Sequence, residues 1–229
     1  MEPAYRIVPH LQDELDQLKA RLLVMGGEAE ERVRAAVRAL VERNRELAER
    51  VLEDDDLIND LDLEIDERCF KLLALRQPVA PDLRVIVAGV KINSTLERVG
   101  DFAVNNAEAA LRYMEHPPVK PLIDIPRMAD IAQGMLRDAL DAYVALDTAR
   151  ARAVLGRDDA LDALKGQVFR ELLSFILENP AKTEPALDLI LISRHLERIG
   201  DHATNIAEEV IFIVSGRDVR HHAQEGGAD

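Results

Sequence analysis

The sequence has very little of what builds disulfide frameworks, membrane spans or aromatic cores. Its 229 residues include one cysteine and no tryptophan, and aromatic residues make up 3%. A single cysteine excludes an internal disulfide and is consistent with a reducing compartment. There is no long apolar run, and the N-terminal MEPAYRIVPHLQDE lacks a basic segment followed by an apolar one. The sequence therefore predicts a soluble, cytoplasmic protein with no direct membrane insertion.

Positive charge is also scarce. There are 43 acidic and 29 basic residues, which gives a net charge of −14 and an isoelectric point near 4.9. This balance argues against nucleic acid or an anionic membrane surface as the main partner. The hydrophobic fraction of 48% is large enough for packed cores, and the low aromatic content suits helices that pack through Leu, Val, Ile and Ala.

Catalytic signatures are missing as well. The sequence has no glycine-rich phosphate loop, no G-x-S-x-G and no H-E-x-x-H. No histidine has a glutamate three residues before it, the pattern found in carboxylate-bridged di-iron helices. Cys69 lies among apolar residues, which indicates a core thiol. We therefore expect no enzymatic activity, and a carboxylate-bridged metalloenzyme is the less favoured alternative.

What the chain does contain is a repeated phrase. Residues 96–109 read LERVGDFAVNNAEA and residues 196–209 read LERIGDHATNIAEE, with nine of fourteen positions identical. Upstream, VLEDDDLINDL matches VLGRDDALDAL at an offset of 103. Such self-similarity indicates a tandem duplication of one module. We expect a first repeat over 1–116, a proline-rich linker over 117–125, a second repeat over 126–215 and a mobile tail over 216–229.

Apolar residues recur at helical spacing throughout, and strand patterns are nearly absent. The first repeat predicts helices over about 9–52, 56–77 and 82–115, with a bend in the first of them at Gly26 and Gly27. The second repeat predicts helices over about 126–155, 158–178 and 185–215. The predicted fold is all-α, with six helices in two three-helix bundles related by a pseudo-twofold axis.

The repeated phrase places oxygen-bearing side chains on one helix stripe. Glu97, Asp101 and Asn105 step by four, as do their equivalents Glu197, Asp201 and Asn205. Two acids at this spacing repel each other by a few tenths of a kcal/mol, and oxygen ligands so placed can bind or bridge hard cations. Gly100 and Gly200 beside the acids would let a second helix or a ligand approach closely.

A simpler interpretation also fits this stripe. Arg98 lies three residues before Asp101, and Arg198 stands likewise to Asp201, so surface pairs could neutralise both acids. Further acids follow at the start of the second helix in each repeat, where the helix dipole already favours them. In the second repeat this run ends in Lys165, so the two repeats need not bind metal equally well.

The phrases LERVGDFAVNNAE and LERIGDHATNIAEE, together with RQPVAPDLR, closely resemble the PhoU family of phosphate-uptake regulators over about 9–216. The resemblance implies a negative regulator of phosphate uptake and of the phosphate-starvation response. It also implies that the protein acts together with a phosphate ABC transporter and a sensor histidine kinase. Members of the family are often homodimers, so a homodimer is expected. Some members carry multinuclear iron or zinc clusters on E/D-x-x-x-D motifs, and magnesium or manganese also suits such ligands. By position the ligands would be Glu97, Asp101, Glu197 and Asp201, with Asp56, Asp60, Asp159 and Asp162 as weaker candidates.

Charge limits the mechanism. Carboxylates on a chain of −14 repel phosphate unless a cation lies between them. Either metal-bridged phosphate is the signal, or the protein reports the state of a partner such as the transporter's ATPase subunit. We favour a non-enzymatic adaptor of the second kind. A metal-free helical scaffold remains the alternative.

Overall fold

The computed structural model of the chain describes residues 9–53 and 56–216, and for Pro9, His10 and Asp56 it describes the backbone alone. Nearly all of the expected tail therefore lies outside the described residues. The helices are α1 (Pro9–Glu42), α2 (Arg45–Glu53), α3 (Asp56–Arg76), α4 (Ala80–Met114), α5 (Asp124–Ala145), α6 (Thr148–Leu155), α7 (Asp158–Glu178) and α8 (Thr183–Ser215). A 3-10 turn at Pro180–Lys182 precedes α8. The described residues contain no strand, and the all-α prediction is confirmed.

Two of the six predicted helices are each divided into a long and a short helix. The predicted helix over 9–52 ends at Glu42, where Arg43 adopts a left-handed φ of 51° and Asn44 caps α2 by accepting a hydrogen bond from the Leu47 amide. Left-handed residues end helices, and an Asn or Asp after one favours a new start. The prediction of one continuous helix from apolar periodicity was therefore wrong, and Asn44 was the residue that indicated the break.

The same division occurs at the equivalent place in the second repeat. Leu146 has a φ of 52°, and Asp147 accepts hydrogen bonds from the amides of Ala149 and Arg150 at the start of α6. The predicted helix over 126–155 is therefore two helices, and the long one begins at Asp124. Asp147 stands 103 positions after Asn44, the offset of the sequence repeat. The break is thus part of the duplicated module.

In the glycine pair of α1, Gly26 serves helix packing, whereas a Cβ built on Gly27 would meet no atom within 4 Å. The helix is continuous through Gly26 and Gly27. A Cβ built on Gly26 would lie 2.2 Å from Leu140 Cδ1 on α5. The missing side chain therefore allows α1 and α5 to approach closely, and the backbone freedom of glycine is not used at this position.

Six long helices form the two bundles. In the first, α3 packs on α1 and α4; in the second, α7 packs on α8 and also contacts α5. The bundles join through α4 against α8 and through α1 against α5. The core between them is lined by Leu, Ile, Val, Ala and Met, with Tyr113 and Tyr143 as the largest fully buried side chains. No helix in the described ranges is long and apolar enough to cross a membrane.

Antiparallel packing of α4 against α8 forms the seam between the repeats. Lys91 pairs with Glu209 at 2.8 Å, and Arg112 pairs with Asp188 at 2.9 Å. From the first pair to the second, the residue number increases on α4 and decreases on α8, so the two helices are antiparallel. Residues 91–100 and 191–200 also show the same order of buried, half-buried and exposed positions. Residues that are equivalent in the two repeats therefore occupy equivalent positions on the two sides of this seam.

Candidate functional site: the two acidic pairs

Each acidic pair lies where a second helix touches a glycine. A Cβ built on Gly100 would meet Ile58 Cδ1 at 2.9 Å, and one on Gly200 would meet Leu161 Cδ2 at 2.4 Å. Ile58 and Leu161 belong to the early turns of α3 and α7 and are themselves equivalent in the repeat. The close approach expected at these glycines is made by a helix, and it sets the acidic start of that helix beside the pair.

In the second repeat an ammonium group lies among the acids. Lys165 Nζ is 2.5 Å from Glu197 Oε1 and 2.9 Å from Asp162 Oδ1. The hydrogen bond that Lys165 donates to Glu197, followed by the one that it donates to Asp162, raises the pKa of Lys165. Lys165 is therefore charged at neutral pH and supplies the positive charge that a metal would otherwise bring to Glu197.

The remaining acids of this repeat act on one another. Burial, followed by the charges of Glu197 and Asp158, raises the pKa of Asp201 to about 6. Arg198 opposes this shift from 3.9 Å. Burial and then the charge of Asp162 likewise raise the pKa of Asp158. Asp158 therefore belongs to the same acidic cluster as Glu197 and Asp201. Its position in the first turn of α7 alone did not indicate this.

In the first repeat the nearby cation comes from a different helix. Arg32 on α1 is buried, and its Nη1 lies 3.9 Å from a Cβ built on Gly100. The equivalent residue in the second repeat is Met135, whose Cε lies 3.7 Å from a Cβ built on Gly200. Sequence reasoning missed Arg32. The signal available was its alignment over an apolar methionine in the second copy.

The predicted ligands of the first repeat lie on two helices. Glu97 is half-buried and Asp101 is exposed on α4, and both contact neighbouring residues. Asp60 on α3 is exposed and lines a cavity of about 620 Å³ between α1, α2 and α3, to which Arg32 also contributes. Asp56 begins α3, and its side chain lies outside the described residues. Carboxylates, a cation and open space therefore adjoin at this end of the first bundle.

The outer members of the stripes and the second-helix acids are more exposed. Asn105, Asn205, Asp159 and Asp162 are all exposed, and Asn205 lines a cavity between α4 and α8. Across the described ranges, no three His, Cys, Asp or Glu side chains are arranged to hold a metal ion. The oxygen donors suit a hard cation, but the second repeat already holds Lys165 where its donors converge.

Fold and site together define a class: helical proteins made of two copies of a three-helix module, each with an acidic pair on its last helix. The family model described as "PhoU domain" matches residues 22–110 and 125–210. The chain belongs to the PhoU family, and the resemblance inferred from the repeated phrase is confirmed.

Curated relatives are similar over nearly the whole chain. A protein of Caulobacter vibrioides is 41% identical over 208 residues, covering 90% of both chains. One from Aquifex aeolicus is 41% identical over 215 residues, covering 93% of this chain and 97% of its own. Both are named phosphate-specific transport system accessory protein PhoU homolog.

Two solved structures share the fold. PhoU from Pseudomonas aeruginosa has a TM-score of 0.85 at 39% identity, covering 90% of this chain and 99% of its own. The phosphate transport system regulatory protein PhoU from Streptococcus pneumoniae also has a TM-score of 0.85, at 27% identity, covering 91% and 99%. The two-bundle architecture is therefore shared across members of low identity.

Proposed function

We propose that this protein is a non-enzymatic accessory regulator of phosphate uptake that acts in the cytoplasm. In this role it restrains the phosphate-starvation response by linking a phosphate ABC transporter, through its ATPase subunit, to a sensor histidine kinase. The observation that carries the proposal is the match of both repeats, over nearly the whole chain, to proteins named as transport-system accessories. Nucleic acid has no part in the proposed role, since the chain is strongly acidic.

Exposed apolar side chains on the outer helices support an adaptor role. On α3, Leu63 and Phe70 are 68% and 60% exposed and lie seven residues apart, which places them on one face. On α7, Phe169 and Leu173 are exposed at a spacing of four. Exposed apolar side chains that share a helix face are typical of protein-binding surfaces. We place the transporter contact on α3, because Leu63 and Phe70 are more exposed than Phe169 and Leu173 are on α7.

Binding to the purified ATPase subunit tests this assignment. The double variant Leu63→Glu with Phe70→Glu should weaken binding at least tenfold, because each charge would be buried against the partner. Leu177→Glu, at a 76% exposed position near the end of α7, is the matched control and should bind normally. Equal binding by all three proteins would contradict the assignment of the contact to α3. Failure of the unaltered chain to bind the subunit would contradict the adaptor role itself.

We also propose that the first acidic pair binds metal. Glu97 and Asp101 would supply oxygen ligands, with Asp60 and Asp56 on the facing α3, and Asn105 at the end of the stripe. Iron or zinc in a multinuclear centre is the favoured content, and magnesium or manganese also suits these donors. In the second repeat, Lys165 already neutralises Glu197, so the proposed second set (Asp159, Asp162, Glu197, Asp201 and Asn205) holds little or no metal in the unaltered chain.

Metal content of the untagged protein, measured by mass spectrometry before and after a chelator wash, tests this. Glu97→Ala with Asp101→Ala should remove most of the tightly held metal, whereas Glu197→Ala with Asp201→Ala should leave it unchanged. Circular dichroism checks that both variants remain helical. Tight metal that survives the first double variant would contradict the site. A metal-free chain that still binds its partners fully would favour the plain scaffold.

We further propose that the chain forms a homodimer and that its repeats divide at the proline-rich linker over 117–125. The dimer follows from family membership, and light scattering on the purified protein measures it directly. Lys120 in this linker supports the division between the repeats. Its buried ammonium donates hydrogen bonds to Asp124 and Glu171 and so holds the linker against the second repeat. A mass equal to one chain at micromolar concentration would contradict the dimer.

A further inference from the structure

A second cavity, of about 390 Å³, lies in the seam between α4 and α8. None of the four paired acids lines it. Its polar lining residues are Lys91, Ser94, Thr95 and Arg98 on α4 and His202, Asn205 and Glu209 on α8. Both repeats therefore contribute to the lining, and the cavity exists only because the two repeats pack together.

The charge in this cavity is positive, although the chain as a whole is negative. Glu209 is nearly buried, and both of its carboxylate oxygens accept hydrogen bonds from Lys91, at 2.8 and 2.9 Å. This pair leaves Arg98 as the uncompensated charge of the lining. At physiological ionic strength, salt largely screens exposed charges that lie more than about 8 Å from such a cavity. An anion entering the cavity would therefore meet attraction rather than repulsion.

His202 supports the same conclusion. Burial, followed by the charges of Arg198 and Arg98, lowers its pKa to about 4. Both charged groups that act on this ring are therefore positive. At neutral pH the ring is uncharged, with one nitrogen as a donor and the other as an acceptor.

Among the described residues, none pairs with the polar edge of His202. The side chain is only 7% exposed, and its face stacks on Phe102 with ring centroids 5.7 Å apart. Across the described ranges its nitrogens make no hydrogen bond, and the same holds for the polar groups of Arg98 and Asn205. His202 is buried, whereas Arg98 and Asn205 are exposed. All three line one cavity with donor groups that no described protein group accepts from, so these donors are available to a ligand rich in oxygen acceptors.

We propose that this cavity binds a small tetrahedral oxyanion, either free inorganic phosphate or the terminal group of a small phosphomonoester. Arg98 would supply the main charge, Lys91 would remain paired with Glu209, and His202, Ser94 and Asn205 would donate from the sides. Tetrahedral oxyanions match this lining because they accept hydrogen bonds in several directions at once. The inference goes beyond the adaptor role and needs no metal, so it stands or fails separately from the function proposed above.

Calorimetric titration of the full-length, chelator-treated chain with inorganic phosphate at about 0.15 M salt tests the proposal, with AMP titrated in parallel as the phosphomonoester. Arg98→Ala should weaken binding about tenfold to a hundredfold, the range expected for loss of a charge-assisted hydrogen bond. Arg198→Ala is the matched control. It is the equivalent residue of the second repeat, it removes the same charge, and it does not line the cavity. It should change affinity less than threefold.

The variant His202→Phe tests whether His202 contacts the ligand directly, because it removes the imidazole donor without changing the net charge at neutral pH. Phenylalanine stands at the equivalent position, Phe102, so the seam should accept it. Phosphate affinity should fall severalfold, and in the unaltered chain phosphate should shift the His202 side-chain nitrogen resonances. Tighter binding of AMP than of phosphate would identify the phosphomonoester, and the reverse order the free anion. Absence of binding by both would overturn the proposal. So would an equal loss in the two arginine variants, or binding that requires added metal.

Discussion

Lys165 on α7 donates a hydrogen bond to Glu197 on α8, and the Nζ–Oε1 distance is 2.5 Å. Its equivalent in the first repeat is Asp62, an acid. One copy of a duplicated acidic site has therefore acquired its own cation within the chain. The two repeats keep the same fold around Gly100 and Gly200 while differing in what neutralises their acids.

Removal of this ammonium should destabilise the second repeat and open it to metal. In chelator-treated protein, Lys165→Gln should lower the free energy of unfolding by about 1–2 kcal/mol, since Glu197 and its acidic neighbours then repel one another without compensation. Added Mn²⁺ should restore more stability to this variant than to the unaltered chain. Urea denaturation with and without Mn²⁺ measures both effects.

Lys71→Gln is the control for this experiment. Lys71 pairs with Glu67 on the exposed surface of α3, so its loss should cost less than about 0.5 kcal/mol. It should also bring no new response to Mn²⁺. If the two variants behave alike, Lys165 has no special role in the second acidic site.

The glycines between the paired acids should not tolerate a methyl group. Gly200→Ala should cost about 1–3 kcal/mol, because the new Cβ would lie 2.4 Å from Leu161 Cδ2 in a packed core. Gly27→Ala in α1 meets no atom within 4 Å and should instead stabilise the protein by up to about 1 kcal/mol. Thermal unfolding of both variants gives the comparison. A neutral Gly200→Ala would mean that α7 and α8 can separate freely.

Acidification should destabilise the seam through His202. The pKa of this residue falls from its ordinary 6.5 to about 4 on folding, so the unfolded chain takes up the proton first. The contribution of His202 to stability is complete above about pH 6.5 and is lost as the pH falls through about 4. Between pH 7 and pH 4 the stability of the unaltered chain should therefore drop by about 1–3 kcal/mol more than that of His202→Phe. Urea titrations across this range measure the difference, and a constant gap would contradict the prediction.

The side chain of Asp147, which caps the N-terminus of α6, should contribute measurably to the stability of the protein. Asp147→Ala removes the acceptor for two amide groups and should cost about 1 kcal/mol. Asp147→Asn keeps an acceptor, as Asn44 does at the equivalent start of α2, and should cost much less. Chemical denaturation ranks the three proteins. Equal losses in both variants would show that the carboxylate charge, rather than the cap, is what stabilises α6.

Local patterns in the sequence determined the helices, the duplication and the acidic pairs. Apolar spacing and self-similarity are properties of neighbouring residues, so the all-α fold and the positions of Glu97, Asp101, Glu197 and Asp201 could be predicted from them. The two helix breaks were also signalled locally, by Asn44 and Asp147, but the periodicity on both sides concealed them. Prediction failed there because apolar spacing continues across a capped break.

Tertiary structure alone decided which groups meet. Lys165 reaches Glu197 across 32 residues of chain, and Arg32 approaches the first acidic pair from a helix that ends before α3 begins. The seam cavity needs α4 and α8 in one antiparallel register, which no local pattern specifies. Charge compensation and cavity lining depend on side chains brought together from distant helices, whereas sequence periodicity reports only the face on which a residue lies.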